Sequence, residues 1–231
     1  MPKVAVDTLF MRGINARAVL GVVRDEQSLS VSELSARTGL SRQAITRALS
    51  WLESRGLVRF RPPDHNAARA GRPAQSVEFR SRAGYVLGAS MTPTSVAVTL
   101  ADLRGTFIAR HEAELSAGTA ASDVLKSAAQ AAMKAAGVGV GQVWAACVGV
   151  PGIVDVESGE VRLSLSMSSL NGTLVAERLA AYLGAPVTID NYVKLATEGE
   201  QWRGTARALS SLVFVEWGER VGLGLLLNNT L

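Results

Sequence analysis

The sequence predicts an α/β protein in two parts, a basic and mainly helical head followed by a body of alternating strands and helices. In the first third, apolar residues recur at helical spacing, and two short segments with strand alternation follow them. From Tyr85 onward, strand patterns alternate with helix patterns. The charge divides at the same point, since residues 1–82 carry a net charge of +7 and residues 83–231 a net charge of −3. This division favours a polyanion-binding head on a body with another role.

Composition excludes several other classes of protein. The chain has 231 residues, of which 48% are hydrophobic, so it can fill a core and is not intrinsically disordered. No apolar run approaches the roughly 20 residues that cross a bilayer, and the first ten residues lack a secretion signal. We therefore expect a cytoplasmic protein with no membrane partner. Because the chain has one cysteine, Cys147, and two histidines, we expect no metal site, and we interpret Cys147 as a packing residue.

The first part of the head has the pattern of two helices and a tight turn. Apolar residues between positions 14 and 24 predict the first helix. Ser30 and Glu33 form the pattern of a capping box, which predicts the start of a second helix. Gly39 ends that helix, and Ser41 has the position of a cap for the next one. The turn between them has the length and composition of a helix-turn-helix motif.

The third helix, predicted over residues 42–55, has one apolar and one polar side. Ile45, Leu49 and Leu52 form a stripe that we expect to be buried. The other side carries guanidinium, amide and hydroxyl groups, which can bind base edges and phosphates in a major groove. An ordinary solvated helix face would use the same residues, but the preceding turn and the lack of an acid before Glu53 favour DNA. The DNA contacts predicted here are Ser41, Arg42, Gln43, Thr46, Arg47 and Ser50.

A strand pair completes the head. Residues 57–61 and 76–80 alternate as strands do and predict a β-ribbon, or wing. Its long tip carries Arg69 and Arg72, which we predict to contact DNA in the minor groove, where the negative potential of A·T tracts is concentrated. His65, also in the tip, is interpreted as a loop residue and not as a metal ligand.

The body is predicted to begin with three strands, followed by alternating helices and strands and a final pair of strands. The strand at residues 144–150 is almost entirely apolar, which predicts burial on both sides. The other predicted strands are residues 86–89, 96–100, 107–110, 187–189, 212–217 and 221–227, and the predicted helices are residues 122–136, 173–183 and 195–203.

This order of elements resembles the ribonuclease-H-like lobe of the actin and hexokinase superfamily. Within that group the chain resembles the ROK family of repressors, open reading frames and sugar kinases. The resemblance rests on the glycine-rich segments 149–155 and 218–224 and on Asp190-Asn191 leading to residues 198–200. It covers nearly all of residues 13–231 and implies a winged helix-turn-helix domain at 1–82, an actin-like lobe at 83–208 and the first strands of a second lobe at 209–231.

The chain departs from the family's kinases at the positions that the resemblance assigns to catalysis. Tyr192 stands where those kinases have the catalytic aspartate, and a phenol with a pKa near 10 is no base at pH 7. Residues 90–95 replace the first phosphate-binding turn, and Pro93 there has no N–H to donate. Glu219 puts a negative charge in the second turn. We therefore expect no catalytic residue and no nucleotide cofactor.

The resemblance also indicates where a sugar effector would bind. Ser166 stands about where the family has a sugar-binding asparagine, and Asn191 is a candidate partner for a sugar hydroxyl. Gly152 leaves space for a ligand at the end of a strand, where ligands of α/β folds bind. Equally, the serines could be ordinary loop residues and Asn191 the cap of the following helix.

ROK bodies continue well past the second glycine turn, whereas this chain ends at Leu231. The last two strands are therefore expected either to belong to a fragment of a longer product or to be covered by a partner chain. The leading hypothesis is a sequence-specific DNA-binding transcription regulator, expected to be a repressor, acting as a homodimer on a double-stranded operator with a possible sugar effector. A sugar kinase with a fused head is the alternative, and a head that contacts an acidic protein is a third.

Overall fold

A computed structural model describes residues 8–26, 28–62, 75–116, 118–218 and 221–231 of the protein. The chain divides into two compact units, Met1–Ala83, which contains the head, and Gly84–Leu231, which contains the body. Within the described residues, no helix is both long enough and apolar enough to cross a bilayer.

Three helices and a small antiparallel sheet form the head. The helices are α1 (Thr8–Asp25), α2 (Val31–Thr38) and α3 (Arg42–Ser54), and the strands are β1 (Leu29–Ser30), β2 (Val58–Arg61) and β3 (Ser76–Phe79). β3 is the central strand and pairs with both β1 and β2. The sequence predicts the β2–β3 pair but not β1, because two residues are too few to show an alternating pattern.

The core of the head lies between α1, α3 and the sheet. α1 packs on both α2 and α3. The apolar stripe predicted for α3 is confirmed, because Ile45, Leu49 and Leu52 are each no more than 1% exposed. The other buried apolar residues of the head include Ala16, Val19, Val23, Leu34, Val58 and Val77.

A five-stranded mixed sheet is the centre of the body. The strands of the body are β4 (Tyr85–Met91), β5 (Ser95–Asp102), β6 (Phe107–Glu114), β7 (Val143–Val150), β8 (Ile153–Asp155), β9 (Glu160–Leu163), β10 (Val187–Asn191), β11 (Leu212–Trp217) and β12 (Val221–Leu226). The main sheet has the order β10-β7-β4-β5-β6, in which β10, β7 and β4 are parallel and β5 and β6 are antiparallel to their neighbours. The β8–β9 hairpin is absent from the sequence prediction because its strands are short and only partly apolar.

Helices cover the two faces of this sheet unequally. They are α4 (Ala121–Ala136), α5 (Val175–Leu183) and α6 (Tyr192–Arg203). α4 and α5 pack on the face that carries Val148 and Val150, which belong to the main core. α6 packs on the other face, next to Gly149. On that face Cys147 is only half-buried, and Trp144 at the start of β7 is exposed, so the prediction that this strand is buried on both sides was wrong.

The last two strands, β11 and β12, form an antiparallel ribbon that packs one face on α6. Gly222 and Gly224 face the helix at positions where a Cβ would collide with Val193 and Thr197, respectively. One side of the ribbon is thus covered within the chain, and the other side is exposed. The exposed apolar residues of that side are Val213, Val215, Trp217, Val221, Leu223 and Leu225.

We expect Leu49→Ala to lower the free energy of unfolding of the head by about 2–5 kcal/mol, because it leaves a cavity under α3. Urea unfolding of the full chain, followed by circular dichroism, measures this. The exposed neighbour Ser50 supplies the control, and Ser50→Ala should change stability by less than about 0.5 kcal/mol. Equal losses in the two variants would contradict the observed orientation of α3.

Candidate nucleic-acid interface

Local caps mark the start and the end of α2 and the start of α3. Ser30 Oγ accepts a hydrogen bond from the Glu33 N–H at 3.2 Å, and the Glu33 carboxylate accepts one from the Ser30 N–H at 2.8 Å. α2 ends at Gly39, whose φ of 70° lies in the left-handed region that favours glycine. α3 begins at Ser41, whose Oγ accepts from the Ala44 N–H at 3.2 Å. The predicted capping box, turn glycine and serine cap are confirmed.

α3 presents one side to the core and the other to solvent. Ile45, Ala48 and Leu49 are buried. Six residues predicted to contact DNA are exposed, so the structure brings them to one accessible surface. We call this set the α3 face, and it consists of Ser41, Arg42, Gln43, Thr46, Arg47 and Ser50.

Hydrogen bonds within the head decide what the α3 face offers to a partner. Thr46 Oγ1 donates to the Arg42 carbonyl at 2.9 Å, and Ser50 Oγ donates to the Thr46 carbonyl at 3.0 Å. These hydroxyls have used their only hydrogen and can act toward a ligand as acceptors. The Arg42 guanidinium lies 3.4 Å from Ser32 Oγ on α2. Donors on the α3 face therefore come from the two arginines, Gln43 and the Ser41 hydroxyl, while Thr46 and Ser50 offer acceptors.

The wing strands carry an ion-pair cluster that sequence reasoning missed. Glu78 on β3 accepts from Arg59 Nε at 2.9 Å and from Arg61 Nε at 2.5 Å, both on β2. These hydrogen bonds hold the pKa of the Glu78 carboxyl below its ordinary value. Arg59 and Glu78 are direct cross-strand partners, so the register of the ribbon could have revealed the pair. The cluster offsets part of the positive charge of the wing.

The tip of the wing lies outside the described residues. This applies to Arg69 and Arg72, the predicted minor-groove contacts, and to His65. Their roles stay predictions from the sequence.

The predicted effector residues line two different pockets at the carboxyl ends of the parallel strands of the body. One pocket, of about 300 Å³, includes Gly152 and Asn191. The other, of about 210 Å³, includes Ser166 together with Tyr192 and Glu216. The structure therefore brings Gly152 and Asn191 together and separates Ser166 from them. Within the ranges that the structure describes, no three His, Cys, Asp or Glu side chains are grouped to hold a metal ion.

Asn191 connects α6 to the loop after β7. Its Oδ1 accepts hydrogen bonds from the backbone N–H of Val193 at 2.8 Å and of Lys194 at 3.4 Å, so it caps α6. Its Nδ2 donates to the Gly152 carbonyl at 2.8 Å. Of the two roles left open by the sequence, helix capping is visible in the structure, and an effector contact stays a prediction.

Position 152 requires a glycine because the backbone of β9 passes close to it. Its φ of 127° disfavours other residues, and a Cβ there would overlap the Leu163 carbonyl at the end of β9. The Pro151-Gly152 pair predicts the end of β7, but the sequence gives no sign that the β8–β9 hairpin folds back onto it. Gly152 thus has a structural reason to be glycine in addition to its predicted effector role.

Tyr192 is the first residue of α6, and its hydroxyl donates a hydrogen bond to the Glu216 carboxylate on β11. Partial burial, together with this carboxylate, raises the pKa of Tyr192 to about 12. The phenol is therefore protonated at neutral pH, at the position where the resemblance to kinases places a basic aspartate. Sequence reasoning missed Glu216, although an acid within an apolar strand is a signal. Glu219 of the second glycine turn lies outside the described residues.

The two units define a class of protein, a winged helix-turn-helix domain joined to an α/β lobe of the actin and hexokinase type. The chain belongs to the ROK family, whose sequence profile matches residues 86–231. Residues 14–69 match the profile of the MarR family. The fold class expected from the sequence is confirmed.

Curated relatives of the chain include two xylose repressors. That of Caldicellulosiruptor bescii is 24% identical over 230 residues, which are 96% of this chain and 55% of the relative. The xylose repressor of Bacillus subtilis is 23% identical over 235 residues, 97% of this chain and 58% of the relative. The chain thus spans about half the length of the curated relatives that it matches.

Solved structures of the same fold cover either the whole chain or its body. A ROK family transcriptional regulator, a homologue of the Escherichia coli Mlc protein, superposes with a TM-score of 0.73 at 18% identity, over 95% of this chain and 55% of that one. A ROK hexokinase from Thermus thermophilus superposes with a TM-score of 0.54 at 21% identity, over 63% of this chain and 47% of that one. The second match shows that the fold of the body occurs in kinases.

The ion pairs of Glu78 should make the stability of the head depend on pH. Because the pKa of Glu78 is lower in the folded state, its pairs stabilise the head above the unfolded pKa, and this contribution is lost as the pH falls through the folded pKa. We expect the wild type to lose more stability than Glu78→Gln between about pH 7 and pH 3. Urea unfolding at each pH measures the difference. Glu53→Gln, at an exposed acid on α3, is the control and should follow the wild type.

Removal of the Asn191 side chain should destabilise the body. Asn191→Ala removes the cap of α6 and the bond to Gly152, and we expect a loss of about 1–2 kcal/mol in the free energy of unfolding. Asn191→Asp keeps the capping oxygen but not the donor to Gly152, so it should recover part of the loss. Calorimetry of the full chain measures both, and unchanged stability in Asn191→Ala would contradict the structural role.

Proposed function

We propose that the chain contains the DNA-binding part of a transcription regulator, a repressor that recognises a specific double-stranded operator. The observation that carries this proposal is the α3 face, an exposed and acid-free set of donors and acceptors on a helix whose other side is buried. The names of the two xylose repressors among its relatives also support it.

In the proposed complex, α3 lies in the major groove of each half-site and two copies of the protein bind a near-palindromic operator. Arg42, Gln43 and Arg47 supply donors to guanine, adenine or phosphate, and Thr46 and Ser50 accept from base amino groups. Arg69 and Arg72 of the wing tip enter the neighbouring minor groove. The homodimer follows from the two-fold symmetry of such operators.

The body is proposed to be a regulatory lobe without catalytic activity. A protonated Tyr192, hydrogen-bonded to Glu216, cannot take a proton from a sugar hydroxyl at neutral pH. A sugar bound near Gly152, Ser166 or Asn191 would favour a conformation of the dimer that no longer fits the operator. Xylose is the first sugar to screen because of the names of the relatives.

A sugar kinase with a fused DNA-binding head is the second candidate, and the shared fold of the body with a ROK hexokinase favours it. It predicts ATP hydrolysis that depends on an added sugar. We expect none in the full chain, and sugar-dependent phosphorylation above the background of a heat-denatured sample would support the kinase instead.

The main test is DNA binding by the full chain. Selection from a random duplex library should give a preferred sequence, and titration on it should show Arg42→Ala and Gln43→Ala weakened by about 5- to 150-fold, as expected for base contacts of about 1–3 kcal/mol. Arg207→Ala, at an exposed arginine of the body, is the control and should bind as the wild type does. Failure to select a sequence, or equal binding by the α3 variants and the control, would overturn the proposal.

A further inference from the structure

A groove runs between α1 and the first half of α3, beside the α3 face. It has a volume of about 220 Å³ and is open to solvent. The proposed function assigns the α3 side of this groove to DNA and gives the α1 side no role. Its lining residues are Met11, Arg12 and Asn15 from α1 and Ala44, Arg47 and Ala48 from α3.

The position of Arg12 follows from the packing of α1. Ala16 is buried in the core of the head, and Arg12 lies four residues before it, on the same side of the helix and one turn closer to the amino terminus. Arg12 therefore lines the groove together with residues of α3. On α3, the small side chains of Ala44 and Ala48 leave the space that forms the groove.

The groove is positively charged and has no acidic lining residue. Arg12 and Arg47 are both exposed, and neither forms an ion pair with a residue that the structure describes. In the same head, Arg37 is paired with Glu26 and Arg59 with Glu78. Two guanidinium groups at one groove, each with several N–H donors, have the chemistry that binds a phosphate. The half-buried Asn15 adds an amide N–H.

We propose that this groove binds one phosphate of the DNA backbone, held between Arg12 on α1 and Arg47 on α3 with Asn15 beside them. The inference rests on the proposed function, because it takes α3 to lie in the major groove. Contacts to phosphates position a protein on the duplex, whereas contacts to bases specify the sequence. Arg47 is thus assigned to the backbone, Arg42 and Gln43 are the remaining donors to the bases, and α1 fixes the angle at which α3 enters the groove.

The test is the salt dependence of duplex binding by the full chain. For Arg12→Ala we expect the affinities for the selected operator and for random duplex to fall by the same factor, about 3- to 10-fold at low salt. The slope of log affinity against log salt concentration should become shallower, but by less than the roughly 0.9 of a whole phosphate contact, because Arg47 still contacts the phosphate. Arg12→Lys retains the charge and should keep the slope of the wild type.

Arg17→Ala is the matched control. Arg17 is an exposed arginine of the same helix, five residues after Arg12 and so on a different side of α1. It should leave both the affinity and the slope unchanged. Circular dichroism shows whether each variant is folded. Asn15→Asp places a carboxylate in the groove and should also weaken binding to both duplexes, because the carboxylate repels the phosphate.

Three outcomes would overturn the inference while the wild type binds its operator. In the first, the salt dependence of DNA binding has the same slope in Arg12→Ala as in Arg17→Ala. In the second, Arg12→Ala loses affinity for the operator but not for random duplex. In the third, Arg12→Ala changes the sedimentation of the free protein without changing the slope. The second would indicate a base contact, and the third an interface between copies of the chain. A wild type that binds no duplex would overturn the proposed function itself, and this inference with it.

Discussion

Burial of one side of α3 is the constraint on which the candidate interface depends. Ile45 and Leu49 are fully enclosed by α1 and the small sheet, and this packing leaves only one rotation of the helix about its axis. At that rotation the arginines, the amide and the hydroxyls of the α3 face point away from the core. A rotation that exposed the apolar stripe would cost about 1.5–3 kcal/mol for each large side chain. The caps at Ser30 and Ser41 then fix where the two helices of the motif begin.

The same packing gives α1 a place at the interface. α1 supplies Ala16 and Val19 to the core, and its preceding turn brings Arg12 beside Arg47. The helix that supports the recognition helix thus also lines the neighbouring groove. On the wing, by contrast, Glu78 holds two arginines in ion pairs. Arg12, Arg42 and Arg47, near the amino-terminal half of α3, form no ion pair with a described residue.

In the body, side chains that would be expected at a reaction centre connect structural elements. Asn191 joins α6 to the loop after β7, and Tyr192 joins the start of α6 to β11 through Glu216. Gly222 and Gly224 let the ribbon approach Val193 and Thr197 on the same helix. The first residues of α6 are consequently bonded both to the loop after β7 and to β11. A lobe connected in this way could respond as a unit to a ligand at the strand ends, as the proposed regulatory role requires.

Local sequence patterns were enough to predict the features that arise between near neighbours in the chain. The capping box of Ser30 and Glu33, the left-handed Gly39 and the stripe of Ile45 and Leu49 each depend on residues within about two turns of a helix, so their spacing was enough to predict them. The family resemblance likewise followed from short segments. Which distant residues come together depended on how the whole chain folds. The fold brought Glu78 to two arginines 17 and 19 residues away and Glu216 to Tyr192, and it placed Arg12 and Arg47 on one groove and Ser166 and Asn191 in separate pockets. Such contacts depend on strand register and helix packing, which are set by the burial of the whole core and not by any local pattern.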